Sequence, residues 1–202
     1  MKQFFTFLLI GFFTFATAQQ NRKLLRIKEK YDNKLKKLQD RCFGNSEIKG
    51  NPEKMRILDS ECEAEENILE TRRSAEKAAE LARIKTRSIE KKSTATQKRS
   101  ETGVVKLSLP QYPTGINGFR NEITKNFNTA VISGKNVLRT EIRFVVEPDG
   151  SISGVESKGS NIQLNREAEI AVYLAKHRWK PALENGVAVP YRFNLPMTFY
   201  FE

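Results

Sequence analysis

Glycine and proline are nearly absent from one long stretch of this chain. Between Asn21 and Thr102 there are two glycines, Gly44 and Gly50, and one proline, Pro52; nine of the eleven glycines and six of the seven prolines lie outside it. These residues punctuate turns and break helices. The 202-residue chain therefore divides near residue 102 into a helical part and a part built of shorter elements. The first part holds 22 basic and 15 acidic residues, and the stretch from Gly103 onward 12 and 9. Apolar residues make up 39% of the chain and 29% are charged, too lean for one core running through all of it. Lys91 to Thr102 is rich in Ser, Thr and Lys and reads as solvated linker. The boundaries are 1–18, 19–90, 91–109 and 110–202.

The first 18 residues read as a secretory leader. Met1-Lys2 gives a short positive start, Phe4 to Phe15 an apolar run, and Ala16-Thr17-Ala18 a small-x-small cleavage signal. The run is short of the ~20 residues a spanning helix needs. No cysteine closely follows the cut, so a lipid anchor is not supported. Retention of the segment as an uncleaved anchor is the alternative. An exported chain meets an oxidising compartment, which permits a disulfide between Cys42 and Cys62.

Leu24, Ile27, Tyr31, Leu35, Leu38 and Cys42 recur at steps of three or four, one face of a helix. Gly44-Asn45-Ser46 stops it. Asn51-Pro52-Glu53 restarts it, with Asn51 as cap and Pro52 in the first helical position. Met55, Leu58, Cys62 and Leu69 continue a stripe, which beyond Arg72 thins to alanines with isolated Leu81, Ile84 and Ile89. A helical hairpin follows. Cys62 lies ten residues into the second helix, about 15 Å along its axis, and residues 43 to 51 can span roughly 30 Å. An intrachain bridge is thus possible and is favoured over its competitor, an intermolecular bridge in a coiled-coil dimer. It would add roughly 3 kcal/mol.

Beyond the linker the rhythm changes. Ile116, Phe119, Ile123 and Phe127 stand at helical steps. Leu138, Thr140, Ile142, Phe144 and Val146 alternate with Arg139, Glu141 and Arg143, a half-buried strand. Glu147-Pro148-Asp149-Gly150 is a turn, and Ser151 to Ser157 a second strand, giving an antiparallel hairpin. A helix capped by Asn165 runs to about Arg178, with Leu164, Ala168, Ala171 and Leu174 facing inward. From Tyr191 to Glu202, Tyr191, Phe193, Leu195, Met197, Phe199 and Phe201 share one face. Pro196 within that run argues for a free edge or a bulge. The fold class is α+β: a three-stranded antiparallel sheet with two helices, preceded by a basic helical hairpin or coiled-coil segment.

Several motifs in this part resemble the TonB C-terminal domain. Phe144-Val145-Val146-Glu147-Pro148-Asp149-Gly150-Ser151-Ile152 is similar to its strand-turn-strand. Leu164-Asn165-Arg166-Glu167-Ala168 resembles the start of its second helix, and Trp179-Lys180-Pro181-Ala182 its Trp-x-Pro segment. Gly186-Val187-Ala188-Val189-Pro190, then Phe193, Pro196 and Phe199, resembles its Gly-x-x-Val loop and last strand. The resemblance covers about residues 110 to 202 and implies a place in the periplasm or outer cell envelope of a Gram-negative bacterium. Such domains bind a short extended peptide of an outer-membrane transporter by strand addition. Carried over, the partner-binding residues are Arg192, Asn194, Pro196, Thr198 and Tyr200 of the last strand. Gln111, Tyr112 and Pro113 join them if they match the family's Gln-x-Tyr-Pro region. In another register, Tyr112-Pro113-Thr114-Gly115 matches a Phe-Pro-Gly-Gly element before the first helix. An energy transducer of this family has a membrane helix and a long spacer. Here the apolar segment looks cleavable and the spacer position is basic and helical. The implied protein is therefore a TonB-like interaction module uncoupled from the motor. The alternatives are a self-associating envelope adaptor, or an anchored transducer if the leader stays.

Catalytic chemistry has no support in the residues. His177 is the only histidine and sits in Lys176-His177-Arg178-Trp179, read as a helix C-terminus, where the dipole favours it. Trp179 reads as core. Glu61, Glu63, Glu65 and Glu66 read as a solvated face. No cofactor, metal, small-molecule substrate or nucleic acid is expected. Arg22 to Arg41 carries nine basic and three acidic residues, which suits an anionic envelope surface.

Overall fold

The computed structural model describes residues 21–43, 52–92, 106–132 and 136–201. The expected leader and its cleavage site, the Gly44-Asn45-Ser46 stop, Asn51 as a cap and most of the linker lie outside these residues.

Helix α1 (Arg22–Phe43) begins at Asn21, whose side chain accepts from the N–H groups of Lys23 and Leu24. Helix α2 (Pro52–Lys92) starts on its proline and runs for 41 residues, about 60 Å. The two form a hairpin. Leu24, Tyr31 and Leu38 are buried on α1, and Ile27, Leu35, Cys42 and Cys62 pack around Tyr31, Leu38 and Leu69. Cys42 and Cys62 form a disulfide within the chain, with Cα atoms 6.3 Å apart. That bond sets the stagger, placing Cys62 beside the last turn of α1. The start of α2 therefore projects past α1. Met55, expected on the apolar stripe, is exposed there because among the described residues no helix lies opposite it.

The rest of the chain is α+β, with two three-stranded antiparallel sheets. The main sheet has β2 (Asn136–Val146) at its centre, β3 (Ile152–Lys158) on one side and β6 (Tyr191–Phe201) on the other. Strands β2 and β6 pair without a register shift from Asn136↔Phe201 to Val146↔Tyr191. Strand β3 carries a bulge, its register shifting between Arg143 and Val145. The alternation is as the sequence predicts: Thr140, Ile142, Phe144 and Val146 are buried, as are Leu195 and Met197. Helices α3 (Gly115–Asn126) and α4 (Ile162–Tyr173) cover this face, burying Phe119 and Ile123 from α3 and Leu164, Ala168 and Ala171 from α4.

The cap of α4 is corrected. It is Asn161, whose side chain accepts from the Leu164 N–H at 2.8 Å. Asn165 is already helical and ties the helix to the sheet, accepting from Thr140 Oγ1 and donating to the Gly159 carbonyl. The helix also stops at Tyr173, short of the expected Arg178, so His177 lies in the loop beyond it.

The second sheet joins β1 (Leu107–Ser108), β4 (Ala182–Glu184) and β5 (Val187–Val189). It was not predicted, since strands of two or three residues are too short to show alternation. Asn185 and Gly186, both at positive φ (53° and 84°), make the tight turn between β4 and β5.

Trp179 is the hub of the core. Its ring lies 4.9 to 5.7 Å, centroid to centroid, from Tyr112, Phe119, Phe144 and Phe193. Its backbone N–H donates to the Gly150 carbonyl at 3.0 Å. Gly150 has φ of 78°, and a Cβ there would come within 2.1 Å of the Trp179 carbonyl oxygen. The Glu-Pro-Asp-Gly turn and the Trp-x-Pro segment are thus one packing unit. The base of the hairpin shares this core: Leu24, Leu81 and Ile84 belong to the same cluster as the sheet residues.

Candidate functional site

A sheet offers a partner two things, a face and a border. On β6 the exposed face carries Arg192, Asn194, Pro196, Thr198 and Tyr200, the row expected from the sequence, and Tyr200 is 80% exposed. Glu141 of neighbouring β2 accepts from Asn194 and from Arg143 of its own strand. Those bonds, Asn194's first, hold the Glu141 carboxyl below its usual range.

The border is the more informative feature. Among the described residues β6 pairs with β2 alone, and no strand lies on its other side. Pro196 stands opposite Glu141 inside an unshifted ladder. A proline has no N–H to give and takes the side of a strand that faces away from its partner. By the two-residue repeat, Asn194 and Thr198 turn their N–H groups to that same outer side.

The opposite border, on β3, is closed. The Val155 N–H donates to the Tyr173 hydroxyl at 3.3 Å, and the Ser157 N–H to Glu169 Oε1 at 2.8 Å. Both acceptors belong to α4. Burial pushes the Tyr173 phenol up, keeping it a neutral hydroxyl. Glu169 is paired in turn with Lys85 of α2 at 2.5 Å.

Helix α2 is fixed to α4 through charge. Lys77 and Glu167 are 0% and 1% exposed and 3.2 Å apart. The Asn128 N–H also donates to Glu167, and its side chain to Glu70. Arg73 joins Glu70 to Asp32 of α1. Burial lowers the Lys77 pKa, the nearby carboxylates opposing it only in part. This polar root escaped sequence reasoning. Its one signal was a gap: Arg73, Lys77 and Glu80 stand where the apolar stripe of α2 fades.

The remaining expected residues sit elsewhere. Tyr112 is 4% exposed, packed on Phe119 and Trp179, and its hydroxyl donates to Glu122 and accepts from the His177 N–H. Burial pushes that phenol far up. Gln111 is exposed but exchanges both backbone bonds with Lys180. Pro113 is exposed beside it. The structure does not bring these three to the β6 border as a strand; Gln111 is bridged to Lys180 instead. His177 is an exposed loop residue. Among the described residues, no group of three or more His, Cys, Asp and Glu could hold a metal ion. Among them also, no helix is long and apolar enough to cross a membrane.

No family model, curated protein or solved structure matches this chain.

Proposed function

We propose that this is an exported envelope protein whose residues 110–202 form a TonB C-terminal-like module, binding an extended peptide by strand addition along β6. The observation that carries the reading is the open β6 border beside a β3 border closed by side chains. An unpaired row of N–H and C=O groups is a template for a partner strand. Motif resemblance supports the fold family, and the partner class it implies is a segment of an outer-membrane transporter. The periplasm is the proposed compartment, and the disulfide suits it.

The exposed face of α1 is a candidate contact with an anionic envelope surface. Lys23, Arg26, Lys34 and Lys37 are exposed on it and make no ion pair among the described residues. Such attraction is screened by salt.

The test titrates the full chain with synthetic peptides tiled across its host's outer-membrane transporters. At least one peptide is expected to bind, and Thr198→Pro to weaken it by about tenfold or more. Equal binding by wild type and Thr198→Pro, or no binding by any peptide, overturns the reading. Unchanged peptide binding with loss of a dimer assigns the border to self-association instead.

A further inference from the structure

One face of α2 touches nothing among the described residues. Cys62, Leu69, Lys77, Leu81 and Ile84 turn toward α1, α4 and the core of the sheet. The opposite face stays exposed from Ile57 to Thr86. It includes two large apolar residues, Ile57 and Ile68, each 51% exposed. With Ala64, Ala75 and Ala79, exposed on the same face, they form one apolar line along the helix, and a contiguous apolar patch marks an interaction surface.

Charge says what covers it. Between 59 and 70 the exposed charged residues are Asp59, Glu61, Glu63, Glu65 and Glu66, all acidic; between 72 and 88 they are Arg72, Arg83 and Arg87, all basic. A second α2 laid antiparallel sets each acidic half on a basic half. A parallel one sets like on like, which is repulsive.

The seam is also self-complementary. About a two-fold axis between Thr71 and Arg72, Ile68 falls opposite Ala75, Ala64 opposite Ala79, and Ile57 opposite Thr86. All six positions are exposed, and each isoleucine meets a smaller residue. On one flank Glu61 falls beside Arg83 of the second copy. Among the described residues Glu61 makes no ion pair, and Arg83, 66% exposed, pairs with Glu80 one turn earlier in its own helix. Isologous pairing of one patch with itself is the commonest arrangement of soluble oligomers.

We infer that the protein is a two-fold dimer joined by the outer face of α2 against the same face of a second copy, antiparallel, with its centre at Thr71 and Arg72. This interface uses neither sheet border and leaves β6 open in both copies.

The test is sedimentation velocity on the full chain. The wild type is expected to be dimeric. Ile68→Glu is expected to raise the dissociation constant by about tenfold or more, with circular dichroism unchanged because the site is exposed. Glu61→Lys and Arg83→Glu each weaken the dimer, and the double variant restores it. Cysteine cross-linking reports direction. Thr71→Cys, near the axis, links to its own copy; Ala64→Cys links only when combined with Ala79→Cys. Three results overturn the inference: a wild type that stays monomeric to roughly 100 μM, a dimer indifferent to Ile68→Glu, or cross-linking by Ala64→Cys alone, which means parallel packing. Dissociation by Thr198→Pro instead of Ile68→Glu also overturns it and moves the contact to the sheet.

Discussion

The two borders of the main sheet are chemically alike and treated in opposite ways. Each presents alternating N–H and C=O groups. On β3 the Val155 and Ser157 N–H groups are taken by Tyr173 and Glu169 of α4, and Glu169 is braced by Lys85 of α2. On β6 no strand covers the outer side among the described residues, and Pro196 withholds one donor. An unprotected border invites aggregation, so closing one and leaving the other open narrows pairing to a single place. The hairpin therefore does more than extend from the sheet. Its root holds the helix that closes β3.

The largest effect comes from breaking that root. Glu167→Gln leaves Lys77 fully buried opposite a neutral partner, and loss of one member of such a pair costs about 3–5 kcal/mol. Urea denaturation measures it. Lys77→Met together with Glu167→Leu is expected to restore most of the loss, because neither group then has to be desolvated. The pH dependence carries the same signature. The folded Lys77 pKa lies below the ordinary 10.5, so between those two values the unfolded chain binds more protons. Stability then rises with pH through that window, and Lys77→Met makes the slope shallower.

Reducing the Cys42–Cys62 bond is next. It closes a loop across a sequence separation of 20, and its loss costs about 3 kcal/mol by chain entropy. This cut is far from both borders. Peptide binding by the reduced folded protein is therefore expected to match that of the oxidised protein, which separates the hairpin tip from the hairpin root.

Glu169→Ala opens the closed border directly. The Ser157 N–H loses its acceptor at a half-buried site, a cost of about 1–3 kcal/mol. The more telling readout is light scattering: with β3 unguarded, association becomes stronger than in wild type. Equal scattering at equal stability would mean that the side-chain acceptors do not guard the border.

Much of this architecture was legible in the chain. The Leu24-to-Cys42 stripe, the alternation through β2 and β6, the turn at Gly150 and the burial of Trp179 all follow from periodicity and turn chemistry. Closure of the β3 border was not legible, since Glu169 and Ser157 lie on different elements, twelve residues apart, and meet only when α4 packs on the sheet. The Lys77–Glu167 pair was hidden by its separation of 90 residues. Asn165 misled because two asparagines flank the start of α4 and either one satisfies the capping pattern. Tyr112 admits two readings from the sequence; in the structure Tyr112-Pro113-Thr114 directly precedes α3, with the Tyr112 ring packed on Trp179 and its hydroxyl on Glu122.

The smallest effect on stability belongs to the open border, and that is what makes it diagnostic. Thr198 shares its outward parity with Pro196, opposite Arg139 in the unshifted ladder. Thr198→Pro therefore removes a second outward N–H and no ladder bond to β2. Its exposed side chain contributes little packing, so the stability change is expected within about 1 kcal/mol. Proline at Met197 has the opposite geometry, taking out a ladder donor and a buried side chain together, and Met197→Pro is expected to cost about 3 kcal/mol or more. Comparable losses for both variants would show that Thr198 faces β2 after all. The border would then have no special standing, and the two sides of the sheet would differ only in what happens to lie near them.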